Sequence, residues 1–404
     1  MVEWKEYRIK DLGEVVTGNT PPTSNREYYG TEYKFIKPTD MVEGQRFVST
    51  TEEYYSELAY QKYKKCLLPP KTPCVVTIGS LGKKMCLTDT ECFTNQAVNA
   101  VIPNKENDGE FLYYAFKASV LAYVKQLDSG TTSGRENVSK SSFSKIKVRV
   151  PPLRTQQKIA SILSAYDNLI QNYKKQIEAL QTAASELYKE WFVRFRFPGY
   201  KNSRFENGIP EGWKVYLIKD LCYINKKTVS SKDAKKEILY LDTGSITENV
   251  IDSFESYILE EAPSRARRIV KKNSIIFSTV RPNQNHYGIL KTVPENLIVS
   301  TGFAVFDPKF DIANILYFFL SSKDFVDYCQ MIAEGAVATY PSIKPEEIGK
   351  VKILLPTMDL AIKLNHSFES LFLRIENLKQ QITNLTQQRD LLLPRLMSGK
   401  LEVE

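Results

Sequence analysis

The feature that most constrains this chain is an internal repeat. Residues 4–12 (WKEYRIKDL) reappear at 213–221 (WKVYLIKDL), with seven of the nine identical. Further matches follow in the same order: 112–114 with 316–318, and 146–152 with 351–356. Matches in one order with a slowly drifting spacing indicate a duplication with small insertions. The 404 residues are therefore predicted to form two copies of one unit of about 200 residues, because the repeat spans that length.

Each copy has the same order of predicted elements. Short β-like runs bounded by Pro, Gly and Asn fill its first part, for example residues 74–78 and 274–278. A helical stretch follows, over 111–127 in the first copy and over 312–332 in the second. A loop of small residues, one more strand and a proline come next, and after the proline the apolar spacing becomes helical.

The segment after the proline predicts a long helix in each copy. Its apolar residues are spaced by threes and fours: Ile159, Ile162, Tyr166, Leu169, Tyr173, Ile177, Leu180, Ala184 and Leu187 in the first copy, and Leu364, Phe368, Leu371, Ile375, Leu378, Ile382, Leu385 and Leu392 in the second. About thirty residues make a rod of roughly 45 Å. The helices either pack on their own domains or pair with each other. Because both seams are long, narrow and matched, we expect pairing, with the rod holding two globular domains apart.

Composition argues against a catalytic centre of a common kind. The chain has two histidines and six cysteines, and no C-x-x-C pair occurs. The phosphate-binding, dinucleotide-binding, nucleophile-elbow and H-E-x-x-H patterns are absent from the sequence. No apolar run approaches the ~18 residues needed to cross a bilayer, so we expect a soluble, cytoplasmic protein. The net charge of +8 leans only mildly toward an anionic partner.

Four motifs carry a family resemblance. They are GIPEGW at 208–213, VPPLRTQQKI at 150–159, ELYKEWFV at 186–193 and LLPRLMSG at 392–399. In this order, and with the duplication, the chain resembles the specificity (S) subunit of type I restriction–modification systems along essentially its whole length. One departure is that residues 356–359 (PTMD) lack the Pro-Pro-Leu and Gln-Gln of the first copy.

The resemblance implies an α+β fold with two homologous globular target-recognition domains separated by two long antiparallel coiled-coil helices, in a pseudo-two-fold internal repeat. The predicted domains are 1–150 and 201–355, and the predicted helical segments are 151–200 and 356–404. Each domain would read one half of a bipartite, asymmetric double-stranded DNA site. The helices would act as a ruler and dock two modification (methyltransferase) subunits, which restriction (endonuclease) subunits join. The chain itself would be non-catalytic and bind no cofactor, with S-adenosylmethionine held by the methyltransferase partner.

Exposed, donor-rich segments are the candidate DNA contacts, since such side chains bond phosphates and base edges. In the first copy they are Lys83, Lys84, Thr131, Thr132, Arg135 and Asn137, and in the second Arg265, Arg267, Arg268, Arg281, Asn283, Gln284 and Asn285. A solvated loop without DNA contacts is the alternative for each. Residues 335–340 correspond to the segment after Gly130 but lack charge, which fits either different target sequences or a purely structural loop.

Six residues are candidate contacts with partner subunits. Gln156 and Gln157 lie at the start of the first long helix, Trp191 and Phe192 at its end, and Leu392 and Leu396 at the end of the second. Trp191 and Phe192 form an apolar cluster that either meets a partner or closes against the other end of the rod. Contacts that depend on the two glutamines would exist in one half only, because the second copy lacks them.

Two other classes of protein compete with a DNA-reading subunit. A stand-alone methyltransferase or nuclease is disfavoured because residues 19–23 (NTPPT) match the Asn-Pro-Pro-aromatic loop poorly and no glycine-rich loop accompanies them. A coiled-coil scaffold without a DNA role would lack the steep salt dependence that phosphate contacts impose on DNA binding.

The ruler hypothesis predicts that helix length sets the spacing of the two half-sites. Inserting four residues near Leu180 should lengthen the non-specific spacer, because two readers on a rod reach grooves whose separation follows the rod's length. A genome-wide map of methylated positions measures the spacer directly. An unchanged spacer would contradict the hypothesis.

Overall fold

The chain divides into two compact units. The structure, a computed structural model, describes residues 3–127, 137–230, 236–336 and 341–403. Unit 1 comprises Met1–Tyr173 together with Gln381–Glu404, and unit 2 comprises Lys174–Gln380. The divisions fall inside two long helices, α6 (Leu153–Tyr188) and α11 (Met358–Met397), which therefore each supply residues to both units.

The described part of unit 1 combines strands with short helices. Its strands are β1 (Lys5–Arg8), β2 (Gly13–Thr17), β3 (Tyr29–Ile36), β4 (Glu53–Tyr55), β5 (Pro73–Val76), β6 (Met85–Leu87), β7 (Cys92–Thr94), β8 (Val98–Pro103) and β9 (Lys147–Val150). Its short helices are α1 (Ile9–Leu12), α2 (Glu57–Tyr63), α3 (Gly109–Ala115), α4 (Leu121–Gln126) and α5 (Lys140–Lys145). The strands form an antiparallel sheet β2-β8-β5-β6, a sheet β4-β3-β7 and a pair β1-β9.

Unit 2 repeats this plan with small additions. Its strands are β10 (Phe205–Glu206), β11 (Ile209–Pro210), β12 (Lys214–Leu217), β13 (Cys222–Ile224), β14 (Glu237–Leu241), β15 (Ile246–Thr247), β16 (Val250–Ile251), β17 (Glu255–Ile258), β18 (Ala266–Ile269), β19 (Ile275–Ser278), β20 (Tyr287–Ile289), β21 (Leu297–Ser300), β22 (Phe303–Pro308) and β23 (Lys352–Leu355). Its short helices are α7 (Ile218–Leu221), α8 (Ala313–Leu320), α9 (Lys323–Ala336) and α10 (Pro345–Gly349).

Two of the sheets correspond strand by strand between the units, which confirms the predicted duplication. The sheet β13-β22-β19-β20 matches β2-β8-β5-β6, and the pair β12-β23 matches β1-β9. The pair β1-β9 aligns Lys5 with Val150, and its counterpart aligns Lys214 with Leu355. Each unit also contains one parallel strand pair, β3 with β7 and β14 with β21.

The two long helices lie antiparallel in both units. In unit 1 Arg389 of α11 bonds Asp167 of α6, while Leu396, two turns further along α11, shares a core with Ile159 near the start of α6. In unit 2 Trp191, just past the end of α6, packs on Phe368 near the start of α11, with ring centroids 5.4 Å apart. At 36 and 40 residues both helices are longer than the sequence predicted, because they continue over the β-domains beyond the regular apolar seam.

The inward face of α6 differs from the predicted seam near its start. Ile162 and Leu169 are each 37% exposed, whereas Leu163 and Ile170 are buried. Successive residues on a helix are rotated by about 100°, and both pairs keep the heptad spacing, so periodicity alone could not tell the two stripes apart. The second seam is confirmed at Leu364, Phe368, Ile375 and Leu378, which are buried, whereas its remaining members are half-buried.

A buried amide links each long helix to the domain before it. In unit 1 the Oε1 atom of Gln156 accepts a hydrogen bond from the Asp108 backbone N–H at the start of α3, at 2.8 Å. Ala361 stands at the corresponding position of α11, since Ile159 corresponds to Leu364. In unit 2 the Oδ1 atom of Asn365, one helical turn later, accepts from the Asn314 backbone N–H at 2.9 Å. The contact thus exists in both halves, but a different residue makes it.

The burial of Gln156 predicts unequal effects of alanine at the two neighbouring glutamines. Gln156→Ala should lower the free energy of unfolding by about 1–3 kcal/mol, because it leaves backbone groups without a partner. Gln157 is exposed, so Gln157→Ala should change it by less than about 0.5 kcal/mol. Urea unfolding of the full chain measures both values. Equal losses would contradict a structural role specific to Gln156.

Candidate DNA interface

Two of the predicted DNA-binding segments are the same element in the two repeats. The residues between β5 and β6 include Lys83 and Lys84, and those between β19 and β20 include Arg281 and Asn283. Because β5 matches β19 and β6 matches β20 in equivalent sheets, both segments are tips of the same β-hairpin. The sequence identified both tips separately and did not reveal their equivalence.

The hairpin tip of unit 1 is a tight loop anchored by one apolar side chain. Gly79 and Gly82 have φ angles of +88° and +71°, the left-handed region that glycine adopts readily. Leu81 between them is buried in the core. Lys83 is exposed, as a DNA contact requires. Lys84 instead donates through Nζ to the Pro38 carbonyl at 2.8 Å, which corrects the prediction of a freely exposed lysine there.

The base of this hairpin adjoins a second predicted segment. Asn137 forms a β-bridge with Ile78, and the Val138 N–H donates to the Thr77 carbonyl at 2.8 Å. The side chain of Asn99 donates to Thr77 Oγ1 at 2.8 Å and accepts from Thr17, which ties the hairpin to the middle of its sheet. Thr131, Thr132 and Arg135 lie outside the described residues.

The hairpin tip of unit 2 is held in a demanding backbone conformation. Arg281 and Asn285 have φ angles of +46° and +58° on either side of a short 3₁₀ turn, Pro282–Gln284. For a residue such as arginine this conformation costs about 1 kcal/mol or more and persists only where surrounding contacts impose it. Asn283 and Gln284, at the tip, are exposed. The fold therefore fixes the direction in which two exposed amides project.

Three other segments of the chain accept the hydrogen bonds that hold this conformation. The Arg281 N–H donates to the Pro341 carbonyl at 3.0 Å, and the Asn283 N–H donates to Gln330 Oε1 at 3.2 Å. The side chain of Asn285 donates to Glu248 Oε1 at 2.9 Å. The segment that contains Pro341 in unit 2 corresponds to the segment that contains Asn137 in unit 1. The same strand-like segment therefore borders the hairpin tip in both repeats.

A small hairpin that the sequence analysis missed clamps this tip. Strands β15 and β16 are joined by Glu248 and Asn249, both with positive φ. The Asn249 side chain accepts from the Ile289 N–H at 2.9 Å, and its backbone N–H donates to Tyr287 at 2.8 Å. A side chain at Gly288 would collide with Asn249. An asparagine in a two-residue turn was the available sequence signal.

The basic cluster around residue 268 is a strand and not a loop. Arg267 and Arg268 lie on β18, which pairs with β21 through a register shift. Arg268 is half-buried, and burial lowers the pKa of its guanidinium, which corrects its prediction as part of an exposed, donor-rich segment. Arg267 is exposed and donates through Nε to the Ser264 carbonyl. Arg265 is also exposed.

Arg265 is connected to the hairpin through a two-residue segment. Its carbonyl accepts from the Thr301 N–H at 2.8 Å, and the carbonyl of the following residue, Gly302, accepts from the Thr279 N–H at the base of the hairpin at 2.8 Å. The described part of unit 2 thus brings one exposed arginine to the same segment that supports the tip. Arg265 therefore remains a candidate contact in addition to the hairpin tip of unit 2.

The predicted partner-binding residues are mostly buried. Trp191 and Phe192 pack in the core of unit 2, Leu396 is buried in unit 1, and Leu392 is half-buried against the same core. Gln156 is also buried. These residues complete cores, which corrects the prediction of an exposed patch, because aromatic and leucine side chains at helix ends close against the neighbouring helix. Gln157 is exposed.

The described residues contain neither a metal-binding cluster nor a membrane-spanning helix. Within the described ranges, no group of three or more His, Cys, Asp or Glu side chains is placed to hold a metal ion. None of the helices that the structure describes is long and apolar enough to cross a membrane.

Comparison with known proteins gives consistent matches along the chain. The family model for the type I restriction–modification DNA specificity domain matches residues 1–182 and 210–388. The chain is 28% identical to the type I restriction enzyme MjaIX specificity subunit of Methanocaldococcus jannaschii, over 100% of this chain and 94% of that protein. It is 35% identical to the HindI specificity subunit of Haemophilus influenzae over 42% of this chain and 38% of that protein.

A solved structure supports the fold. The S subunit of a type I restriction–modification system from M. genitalium superimposes with a TM-score of 0.62, covering 98% of this chain and 96% of that one at 16% identity. Its likeness to this chain therefore concerns the fold.

Alanine substitutions of the two lysines at the unit 1 tip should change different properties, DNA binding for Lys83 and stability for Lys84. Lys83→Ala should weaken binding to duplex DNA of any sequence and reduce the slope of log affinity against log salt by about 1, since one phosphate contact is lost. Lys84→Ala should lower the unfolding midpoint because the Pro38 carbonyl loses its partner. Titrations at several salt concentrations and thermal unfolding measure the two effects. An unchanged slope for Lys83→Ala would remove it from the interface.

Proposed function

The chain belongs to the type I restriction–modification DNA specificity family, and from that premise we propose that each unit reads one half of a bipartite, asymmetric DNA site. As a member of this family the chain is a non-catalytic specificity subunit. The reading surface of each unit is its hairpin tip, between β5 and β6 in unit 1 and between β19 and β20 in unit 2.

One observation carries the proposal: the same hairpin presents different side chains in the two units. The tip of unit 1 exposes Lys83, whereas the tip of unit 2 exposes Asn283 and Gln284 beside Arg281. Two equal scaffolds with different donors would bind two different half-sites, because amides fork onto adenine and guanidinium groups onto guanine in the major groove. Lysines contribute mainly phosphate contacts, which fix position without selecting sequence.

The backbone of the unit 2 tip supports base reading over a general attraction to phosphate. Two residues with positive φ bracket the turn. Hydrogen bonds from the tip to Pro341, Gln330 and Glu248 hold it in this conformation. A reader of base edges needs its amides in one direction, since each bidentate contact depends on geometry. Phosphate contacts tolerate flexible side chains, so they would not need such a clamp.

Recruitment of the enzymatic subunits is the second part of the proposal. Two modification subunits would dock on the long helices, restriction subunits would join them, and S-adenosylmethionine would be bound by the modification subunits. The exposed Ile162 and Leu169, two turns apart on α6, support this role. Apolar residues at heptad spacing on an exposed helix face suit the docking of another helix.

The site map of a hairpin variant tests the proposal. The chain is co-expressed with its modification subunit, and methylated positions are mapped genome-wide for the wild type, for Asn283→Ala/Gln284→Ala and for the control Gln61→Ala on α2. We expect a bipartite motif with a fixed gap in the wild type and the control. The double variant should relax one half-site by a factor of ten or more, as loss of a contact worth about 1–3 kcal/mol implies.

Two results would contradict the proposal. Relaxation of both half-sites together would mean that the hairpin of unit 2 does not read one half alone. An unchanged motif in the double variant would place base reading outside this hairpin.

A further inference from the structure

Equivalent positions of the two units differ sharply at one buried place. From β9 and β23 onward the repeats align with a constant spacing, so Ile159 corresponds to Leu364 and Trp191 to Leu396. In unit 1 the Arg389 guanidinium of α11 bonds the Asp167 carboxylate of α6 at 2.6 Å, and both side chains are 10% exposed. The Tyr114 hydroxyl donates to the other oxygen of Asp167 at 2.6 Å.

Unit 2 is apolar at all three corresponding positions. Phe318 replaces Tyr114, Phe372 replaces Asp167, and Ala184 replaces Arg389. The rings of Phe318 and Phe372 pack with centroids 5.8 Å apart. Ala184 and both rings line one cleft of about 240 Å³. At these three positions each unit is internally consistent, one with a paired charge and the other with apolar contacts, while Glu369, one turn before Phe372, is already paired with Lys291 at 2.6 Å.

We propose that the Asp167–Arg389 pair selects the partner of each long helix. A first copy of the repeat then pairs only with a second copy, and neither kind of copy pairs with its own kind. In a pairing of two first copies, Asp167 would face Ala184. In a pairing of two second copies, Arg389 would face Phe372. Either combination leaves a charge buried without its partner twice per assembly, whereas the native pairing neutralises both charges.

The other charged groups near the pair do not change this conclusion. Tyr114 and the half-buried Lys117 belong to the same copy as Asp167, so they accompany it in every pairing. Asp390, which contacts the Arg389 guanidinium at 2.8 Å, accompanies Arg389 in the same way and is half-exposed. Among these charged groups, the contact between Asp167 and Arg389 is the one that joins a first copy to a second.

Buried ion pairs suit this role better than they suit stabilisation. Replacing both partners by apolar residues is often neutral or stabilising, whereas removing one partner is costly, because the remaining charge is buried without compensation. Polar residues at single core positions of paired helices are known to set register and partner choice. The pair therefore acts chiefly against wrong pairings.

A nicked form of the whole protein tests the proposal with every residue present. A protease site placed between Gly199 and Phe205, in the connection before β10, is cut in the folded protein, whose two halves should stay associated as one folded species. The nicked protein is then unfolded, refolded and weighed by native mass spectrometry, since the two halves differ in mass. We expect only unlike pairs from the wild type. Tyr114→Phe/Asp167→Phe/Arg389→Ala, which copies unit 2, should give unlike pairs as roughly half of the total.

Two outcomes would overturn the proposal. Like pairs from the refolded wild type would show that the ion pair does not discriminate. Unlike pairs alone from the triple variant would show that other contacts do so. The matched control is Lys323→Ala/Asp327→Ala, which removes an exposed ion pair of unit 2 and should leave the distribution unchanged.

A second measurement on the intact chain guards against variants that fold poorly. Asp167→Ala and Arg389→Ala should each lower the unfolding midpoint by several degrees, and the double variant should unfold at a higher temperature than either one. Such a result would mean that each single variant is destabilised mainly by the charge that stays buried without its partner. Additive losses would contradict it.

Discussion

Neither repeat of this chain closes its hydrophobic core with its own β-domain alone. In unit 1 the core that contains Phe111 and Leu163 also takes in Leu396, from the last turns of α11. In unit 2 Ala184, Tyr188 and Trp191, from the end of α6, pack with Phe368. Each unit is thus completed by the beginning of one long helix and the end of the other, and the same two cores include residues of both hairpins.

Duplication supplied the scaffold, and substitution made the two copies different at a few positions. The hairpin tips expose a lysine in one unit and two amides in the other. The amide that supports the helix after β9 is Gln156, and after β23 it is Asn365. At three corresponding positions beside the long helices the side chains are polar or charged in unit 1 (Tyr114, Asp167, Arg389) and apolar in unit 2 (Phe318, Phe372, Ala184). An asymmetric target requires such differences, because two identical readers related by two-fold symmetry would bind a palindrome.

The sequence predicted the repeat, the long helices and the strands β5, β9, β19 and β23, because identity between copies and apolar spacing are local signals. It did not show which of Ile162 and Leu163 faces inward, since both belong to stripes of the same period. Arg389 interrupts the second seam between Leu385 and Leu392, and only its partner Asp167, from the other helix, explains its burial. The clamp by Asn249 likewise depends on a contact with β20 that no local pattern reveals.

The central claim is that each unit reads its own half-site, and exchanging a whole unit tests it most directly. Residues 222–350 are replaced by residues 13–145, so that both units carry the reader of unit 1, and methylated positions are mapped after co-expression with the modification subunit. The account predicts a palindromic motif that repeats one wild-type half-site in inverted orientation. An unchanged asymmetric motif from the folded variant would contradict it.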